Sequence, residues 1–297
     1  MVEKSWEEYL PVLYVFMIFH VHCGLLLAVY VLPGLQVDVT LPHLNIRKML
    51  ITFGWSLAAC ACVALFFRSF WEVYTTPPGR IPPTKEWVTQ PNLERIHERS
   101  ADGDLRICKH EGIYKPDRAH YCHNIATNVL KLDHYCPWVL NAVGFYNYKA
   151  FVLTLAYATL SLVLVVGNGR VAHQSGLLLS RILEISAQEP ACRALTILAV
   201  VQSLFLLSII GGFLGFHVYL ISRNLTTIGE RVPVISSECM KGGASRYDRG
   251  FIGNWAAVFG PHPSRWLIPT FSAVGDGLHF AVGSETLKSG RSQSSRA

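Results

Sequence analysis

Asp133-His134-Tyr135-Cys136 places a carboxylate, an imidazole and a thiol within four residues. A free cysteine has a pKa of roughly 8.5 and is mostly protonated at neutral pH, and a neighbouring imidazole can take that proton. A carboxylate beside the imidazole fixes its tautomer and stabilises the imidazolium. The tetrapeptide therefore holds the parts of an activated nucleophile. Alone it carries little weight, because a structural cysteine next to a satisfied histidine has the same letters. The residues after it (Pro137, Trp138, Asn141, Gly144, Asn147) and the elements around it change that weighting.

The chain has 297 residues, 51% of them hydrophobic and only 15% charged. Its apolar residues come in blocks of about 20, the length that crosses a hydrocarbon core roughly 30 Å thick at 1.5 Å per residue. Such blocks run from about Tyr9 to Leu32, Met49 to Phe67, Phe151 to Gly167 and Leu195 to Ser222. The expected fold is an all-α polytopic membrane protein with four transmembrane helices and one long polar segment between the second and third. The expected divisions are 1–68 (N-terminal tail and first two helices), 69–149 (polar segment), 150–222 (last two helices) and 223–297 (C-terminal tail).

Of the 26 Lys and Arg, 21 lie before the first span, between the second and third, or after the fourth. Only Arg47, Lys48, Arg170, Arg181 and Arg193 lie in the alternate loops. That asymmetry places both termini and the polar segment in the cytosol. Asn224-Leu225-Thr226 has the letters of a glycosylation acceptor, but on that side it would not meet the transferase. Met1 to Glu8 lacks the basic start of a cleavable signal, and residues 285–297 read as a disordered Ser/Arg/Gly tail. The eight cysteines show no paired spacing. Cys23, Cys60 and Cys62 lie in apolar runs and Cys192 near one; Cys108, Cys122, Cys136 and Cys239 lie in polar stretches, which suits a reducing compartment. A reactive thiol there, about 15 residues before a span, is placed for acyl transfer from a lipid-like thioester.

The central segment resembles the DHHC protein S-acyltransferases, or palmitoyltransferases, in a DHYC variant. The motifs that carry the likeness are Cys108, Lys115-Pro116-x-Arg118, Cys122, and Asp133-His134-Tyr135-Cys136-Pro137-Trp138-x-x-Asn141-x-Val143-Gly144-x-x-Asn147-x-x-x-Phe151. Asn224-Leu225-Thr226-Thr227 is similar to the family's TTxE motif, and Thr76-Pro77-Pro78-Gly79 to its DPG motif. Tyr247-Asp248-x-Gly250-x-x-x-Asn254-Trp255-x-x-Val258-Phe259-Gly260 is similar to its C-terminal motif. The polar segment is then a cytosolic cysteine-rich-domain-like segment.

The resemblance implies that Cys136 is the acylated nucleophile, His134 the base and Asp133 its orienting carboxylate. It implies that Thr227 and Thr226 steady Asp133, that Trp138 sits by the acyl carbonyl and that Asn254 braces the tail against the catalytic segment. Ser161 falls where the family closes the far end of its acyl cavity, and a small residue there implies room for palmitate or longer chains. The implied donor is palmitoyl-CoA. The implied partners are the bilayer, protein substrates with cytosolic juxtamembrane cysteines and an accessory subunit, with no nucleic acid; the implied place is the endomembrane system, Golgi or ER.

The sequence departs from the family at its zinc ligands. The eight expected positions hold Cys108, Glu111, Tyr121, Cys122, Ile125, Asn128, Tyr135 and Ala142. Tetrahedral zinc needs four donors, so neither of the family's two sites forms as usual. Cys108 and Cys122 with His110, His120 and His123 are the residues from which one improvised site could be made. Otherwise apolar packing by Ile125, Val129, Leu130 and Leu132 must do the metal's work. The TTxE motif ends in Gly229 with Glu230 one place late, and Pro77 stands at the DPG aspartate. The rival reading is a catalytically inactive membrane scaffold or chaperone, motivated by the missing ligands. A transporter is disfavoured, since His20, His22 and His217 are the spans' main ionisable groups and read as locally satisfied.

Overall fold

The computed structural model describes residues 6–15, 17–18, 46–100, 102–174, 190–231 and 245–282. Its helices are α1 (Ile46–Thr75), the short α2 (Lys85–Val88), α3 (Tyr148–Gln174), α4 (Pro190–Arg223), α5 (Thr227–Arg231) and α6 (Phe251–Phe259). Leu57–Thr75 of α1 and Val201–Arg223 of α4 are long and apolar enough to cross a membrane; Tyr148–Leu164 of α3 is apolar but shorter. Large apolar side chains along α4, among them Val201, Leu204, Phe205 and Ile209, are exposed, as lipid-facing residues would be. The first expected span lies largely outside the described residues; within it, 10–15 and 17–18 are helical. The architecture is that of a helical membrane protein.

The all-α expectation needs one correction. The polar segment carries two antiparallel hairpins: β1 (His120–Cys122) with β2 (Thr127–Val129), and β3 (His134–Cys136) with β4 (Asn141–Val143). Each strand is three residues long, too short to leave an alternating pattern in the sequence. Left-handed residues, Ala126 at φ 50° and Leu140 at φ 50°, lie in the two turns.

By contact, the chain forms two compact units: 1–9, 69–153 and 216–297 in one, 10–68 and 154–215 in the other. The first unit contains both hairpins and has two apolar clusters. Ile81, Trp87, Ile96, Ala119, Leu130 and Phe145 make one, with Leu278 and Phe280 of the tail packed on it. Cys122, Val129, Leu132 and Ala142 make the other, with Ile125, Tyr135 and Ile228 against it. Gly144 lies where the two hairpins and the Pro78 turn meet. A Cβ there would come within 2.6 Å of Val129 and 2.9 Å of the Leu130 and Pro78 carbonyls, so only glycine fits. In the second unit, Ser161 is buried and donates its hydroxyl to the Tyr157 carbonyl at 2.7 Å.

Two helix ends set the geometry of the first unit. The last carbonyls of a helix have no partner within it. At the end of α1 they are met by side chains: Asn141 donates its amide to the Val73 and Thr76 carbonyls at 2.9 Å each, and Asn147 donates to Thr76 at 3.2 Å. The β3–β4 hairpin is thereby tied to α1. Helix α4 ends at Asn224, which sits at φ 50°. The Leu225 N–H returns to the Leu220 carbonyl at 2.8 Å and the Asn224 N–H to Ile221 at 3.0 Å, the paired bonds of a Schellman ending. Thr226 then caps α5, its hydroxyl accepting the Gly229 N–H at 3.0 Å.

Candidate active site

Asp133, His134 and Cys136 meet at the start of the β3–β4 hairpin. His134 Nδ1 lies 2.8 Å from Asp133 Oδ2. Asp133 is buried, and Thr227 at the first turn of α5 supplies two donors to it: its backbone N–H to Oδ1 at 3.0 Å and its hydroxyl to Oδ2 at 2.7 Å. Burial by itself would raise the Asp133 carboxyl. The bond to His134 and its charge, the nearby His217 imidazole and the Thr227 hydroxyl outweigh it, and the carboxyl stays below its usual range. For His134, burial works against the charged form. The bonds to Asp133 and the Cys136 thiol, with their negative charges, reverse this and push the imidazole up to about 9. The arrangement favours a protonated imidazole within hydrogen-bond reach of Cys136.

Cys136 is a buried, unpaired thiol at the end of β3, as Cys60, Cys62, Cys108 and Cys122 are unpaired elsewhere. Trp138 is half exposed in the turn after it. The two threonines divide their tasks. Thr227 holds Asp133, whereas Thr226, expected to share that role, caps α5 and so aims Thr227. Asn254 is buried and donates to the Ser222 carbonyl of α4 at 2.9 Å and to Asp248 at 2.7 Å. It ties the tail to α4; the expected contact with the catalytic segment is replaced by this one.

That tie to the polar segment is made by three motif residues given no role in the sequence reading, Arg118, Asn224 and Tyr247, together with Glu98. Arg118, fully buried, donates to the Asn224 side chain at 2.9 Å and to its carbonyl at 3.1 Å, and its guanidinium lies 4.9 Å from the Tyr247 ring centre. Glu98, also fully buried, pairs with Arg106 and accepts from the Arg118 N–H and the Tyr247 hydroxyl. Asp117 accepts from the backbone of His97 and Glu98. The polar network spans residues 97 to 247, a separation at which no local spacing rule operates.

The residues at the family's zinc positions do not fit the metal. Cys122, Ile125, Tyr135 and Ala142 share one apolar cluster, where Tyr135 faces Ala142 across the β3–β4 hairpin. Around the others, the Glu111 carboxylate accepts the Asn128 N–H at 3.2 Å and also its side-chain amide. Tyr121, opposite Asn128 in the β1–β2 hairpin, stacks on His110 at 4.3 Å, with His123 edge-on to both rings. Each set keeps one thiol where tetrahedral zinc needs four donors. Cys108, His110, His120 and His123 line a pocket of about 370 Å³ with Lys109 and Lys115. Desolvation, with the charges of Arg106, Lys115 and Arg118 nearby, pushes the partly buried His120 down to about 3. Among the described residues, the His, Cys and acidic donors that crowd within 4.8 Å of one another are Asp133, His134 and His217 instead.

The profile of the family described as DHHC palmitoyltransferase matches residues 101–232. Palmitoyltransferase ZDHHC15A of Danio rerio is 31% identical over 246 residues, which cover 74% of this chain and 71% of that protein. The chain belongs to the DHHC palmitoyltransferase family. Palmitoyltransferase ZDHHC15 of Rattus norvegicus is 36% identical over 191 residues, and ZDHHC2 of Homo sapiens 31% over 245. The matches to these two span 53% and 63% of their lengths. Membership gives the enzyme class of a protein S-palmitoyltransferase, with acyl-CoA as donor, and disfavours the inactive scaffold.

Proposed function

We propose that this DHHC palmitoyltransferase moves a long-chain acyl group, palmitoyl foremost, from acyl-CoA through acyl-Cys136 to cysteine thiols of membrane-associated proteins. The observation that carries the reading is the buried chain of contacts from Thr227 through Asp133 and His134 to Cys136. In the first step the Cys136 thiolate attacks the thioester carbonyl, a new S–C bond forms, and the bond to the CoA sulfur breaks. The leaving CoA thiolate takes the proton from His134. Trp138, beside the nucleophile in the turn, is assigned to the acyl chain's carbonyl end.

Acylation also prepares the second step. The bond to the Cys136 sulfur and its negative charge are among the causes that raise His134. Both are lost when the sulfur becomes a neutral thioester, so the imidazole falls back toward neutrality and can accept the acceptor thiol's proton. That thiol attacks acyl-Cys136, and Cys136 leaves as the thiolate that pairs again with the protonated His134. General acid–base help of this kind is worth about 10²–10⁴-fold in rate.

The remaining assignments belong to the same reading. Four spans and a cytosolic hairpin segment follow from the apolar blocks and the Lys/Arg asymmetry. Ser161, small and buried, supports an acyl site open to palmitate or longer chains. Juxtamembrane cysteine substrates, an accessory subunit and a Golgi or ER membrane complete the proposal.

The test is incubation of the detergent-purified chain with palmitoyl-CoA, followed by peptide mass spectrometry. A hydroxylamine-labile palmitoyl group on the Cys136 peptide is expected. Label confined to other cysteines, or none on a folded sample, would sink the assignment. In parallel, the structure at the zinc positions leads to a prediction about metal. A chelator unfolds a domain that zinc holds together. Here the apolar cluster and the Glu111–Asn128 pair occupy those positions, so EDTA or phenanthroline will leave the melting temperature and the acylation rate unchanged. Metal analysis will find well under one zinc per chain; a melting temperature that falls on chelation and recovers with zinc would contradict this.

A further inference from the structure

His217 sits on α4, 83 positions from His134 in the sequence, yet the two rings are neighbours: their centres are 5.8 Å apart and tilted by 39°. The side chain is fully buried. Phe151 packs edge-on against both imidazoles, at 5.0 Å from His134 and 5.1 Å from His217. The Tyr148 hydroxyl is 3.0 Å from His217 Nδ1. One donor atom from each of Asp133, His134 and His217 lies within 4.8 Å of the others. A second imidazole is therefore built into the wall of the base's own site, held by two side chains of α3.

We propose that His217 is a positioning residue for acyl transfer: oriented by Tyr148, it shares the Asp133 carboxylate with His134 and keeps that base able to release its proton. The inference rests on the acyl-transfer reading above. With the Tyr148 hydroxyl donating to Nδ1, the neutral ring carries its hydrogen on Nε2, and one nitrogen of the ring lies within 4.8 Å of an Asp133 carboxylate oxygen. A dipole there takes up part of the carboxylate's charge. Without it the full charge acts on His134, which holds its proton more tightly. The acylation step, which starts from imidazolium and thiolate, is little affected. The transfer step needs neutral His134 and slows.

Among the described residues, the ionisable groups around this pair are few. Asp133 and Cys136 come from the same hairpin, His217 from α4 and Tyr148 from α3. Lys131, from the loop before β3, lies over the Tyr148 ring, 5.5 Å from its centre. Thr227 from α5 carries no charge. A change in the pH profile on altering His217 is therefore read against a short and known set.

The experiment isolates palmitoyl-enzyme and follows its discharge to an N-myristoylated peptide with one cysteine in the same micelles, from about pH 6 to 9.5, a range that brackets the imidazole titration. Formation of wild-type acyl-enzyme tests the parent reading on its own. For His217→Phe, which keeps the ring packing, the label should form at near the wild-type rate. Its discharge at neutral pH should fall about tenfold, with the midpoint of the profile moved up by about one pH unit. His217→Gln, which keeps an N–H, should recover most of the shift, and Tyr148→Phe, which deletes one oxygen, should move the midpoint the same way by less. An unchanged midpoint in both Tyr148→Phe and His217→Phe would overturn the role. So would a Phe variant that matches wild type while Gln fails, since packing alone would then explain the site.

Discussion

Cys136→Ser will abolish the hydroxylamine-labile palmitoyl label, and Asp133→Asn will slow its appearance by about 10²–10⁴-fold while leaving the protein folded. The serine hydroxyl is a far weaker nucleophile at neutral pH, and an oxygen ester formed there would resist hydroxylamine under conditions that cleave a thioester. The Asp133→Asn effect comes from the contacts. Asp133 accepts two bonds from Thr227 and one from His134, and an amide can present only one oxygen to these three donors. Its NH2 group would face the Thr227 hydroxyl or His134 Nδ1, favouring the wrong tautomer of the base. The negative charge that holds His134 up near 9 also disappears. The same pair sets a pH dependence of stability. His134 is raised in the folded state, so its contribution is fully present below about 6.5 and fades as pH rises through about 9. Single-turnover labelling with circular dichroism on the same samples separates rate from folding. An Asp133→Asn protein labelled at the wild-type rate would remove Asp133 from the mechanism.

Glu98→Ala will destabilise the first unit by about 3–5 kcal/mol, the scale for breaking a buried ion pair by removing one partner. Glu98 has no exposure and accepts from Arg106, from the Arg118 backbone and from Tyr247. Its loss leaves charged and polar groups buried without their acceptor. The damage passes to the candidate active site by a short route. Arg118 binds the Asn224 side chain and carbonyl, Asn224 ends α4 in the left-handed conformation, and two residues later Thr226 starts the helix that aims Thr227 at Asp133. Glu98→Gln, which keeps the shape and one acceptor, will cost less. Denaturant unfolding in detergent, with limited proteolysis of the 245–282 tail, measures both. A Glu98→Ala protein as stable as wild type would mean that Arg106 and Tyr247 find other partners.

The contrast between the two threonines shows where sequence reading stops. Thr226 and Thr227 are adjacent and chemically identical, and the motif offers no ground for choosing between them. The choice is made by the left-handed turn at Asn224, which sets one hydroxyl as a helix cap and the other against Asp133. His217 was legible only as an ionisable residue in an apolar run. Its partners lie on α3 and in the hairpin, and no periodicity of α4 points to them. The hairpins were missed because three-residue strands carry too little pattern. Conversely, the absence of most zinc donors was plain from residue types alone. What replaces them, an apolar cluster at one set and a Glu111–Asn128 pair at the other, needed coordinates.

Local chemistry and long apolar blocks were written in the sequence by itself. Asp133, His134 and Cys136 are close because they are consecutive or nearly so, and membrane helices announce themselves because burying about 20 residues in hydrocarbon demands an unbroken apolar run. Those features, with the ordered motifs, determined the family and the enzyme class. Tertiary structure decided which side chains surround Asp133 and His134: Thr227 from α5, His217 from α4 and, behind it, Tyr148 from α3; it also built the Glu98–Arg118–Asn224–Tyr247 network that holds the tail. Their separations in sequence are set by loop lengths and helix ends. Pairing over such distances is selected by burial and by the need to satisfy buried polar groups, which no window of sequence records.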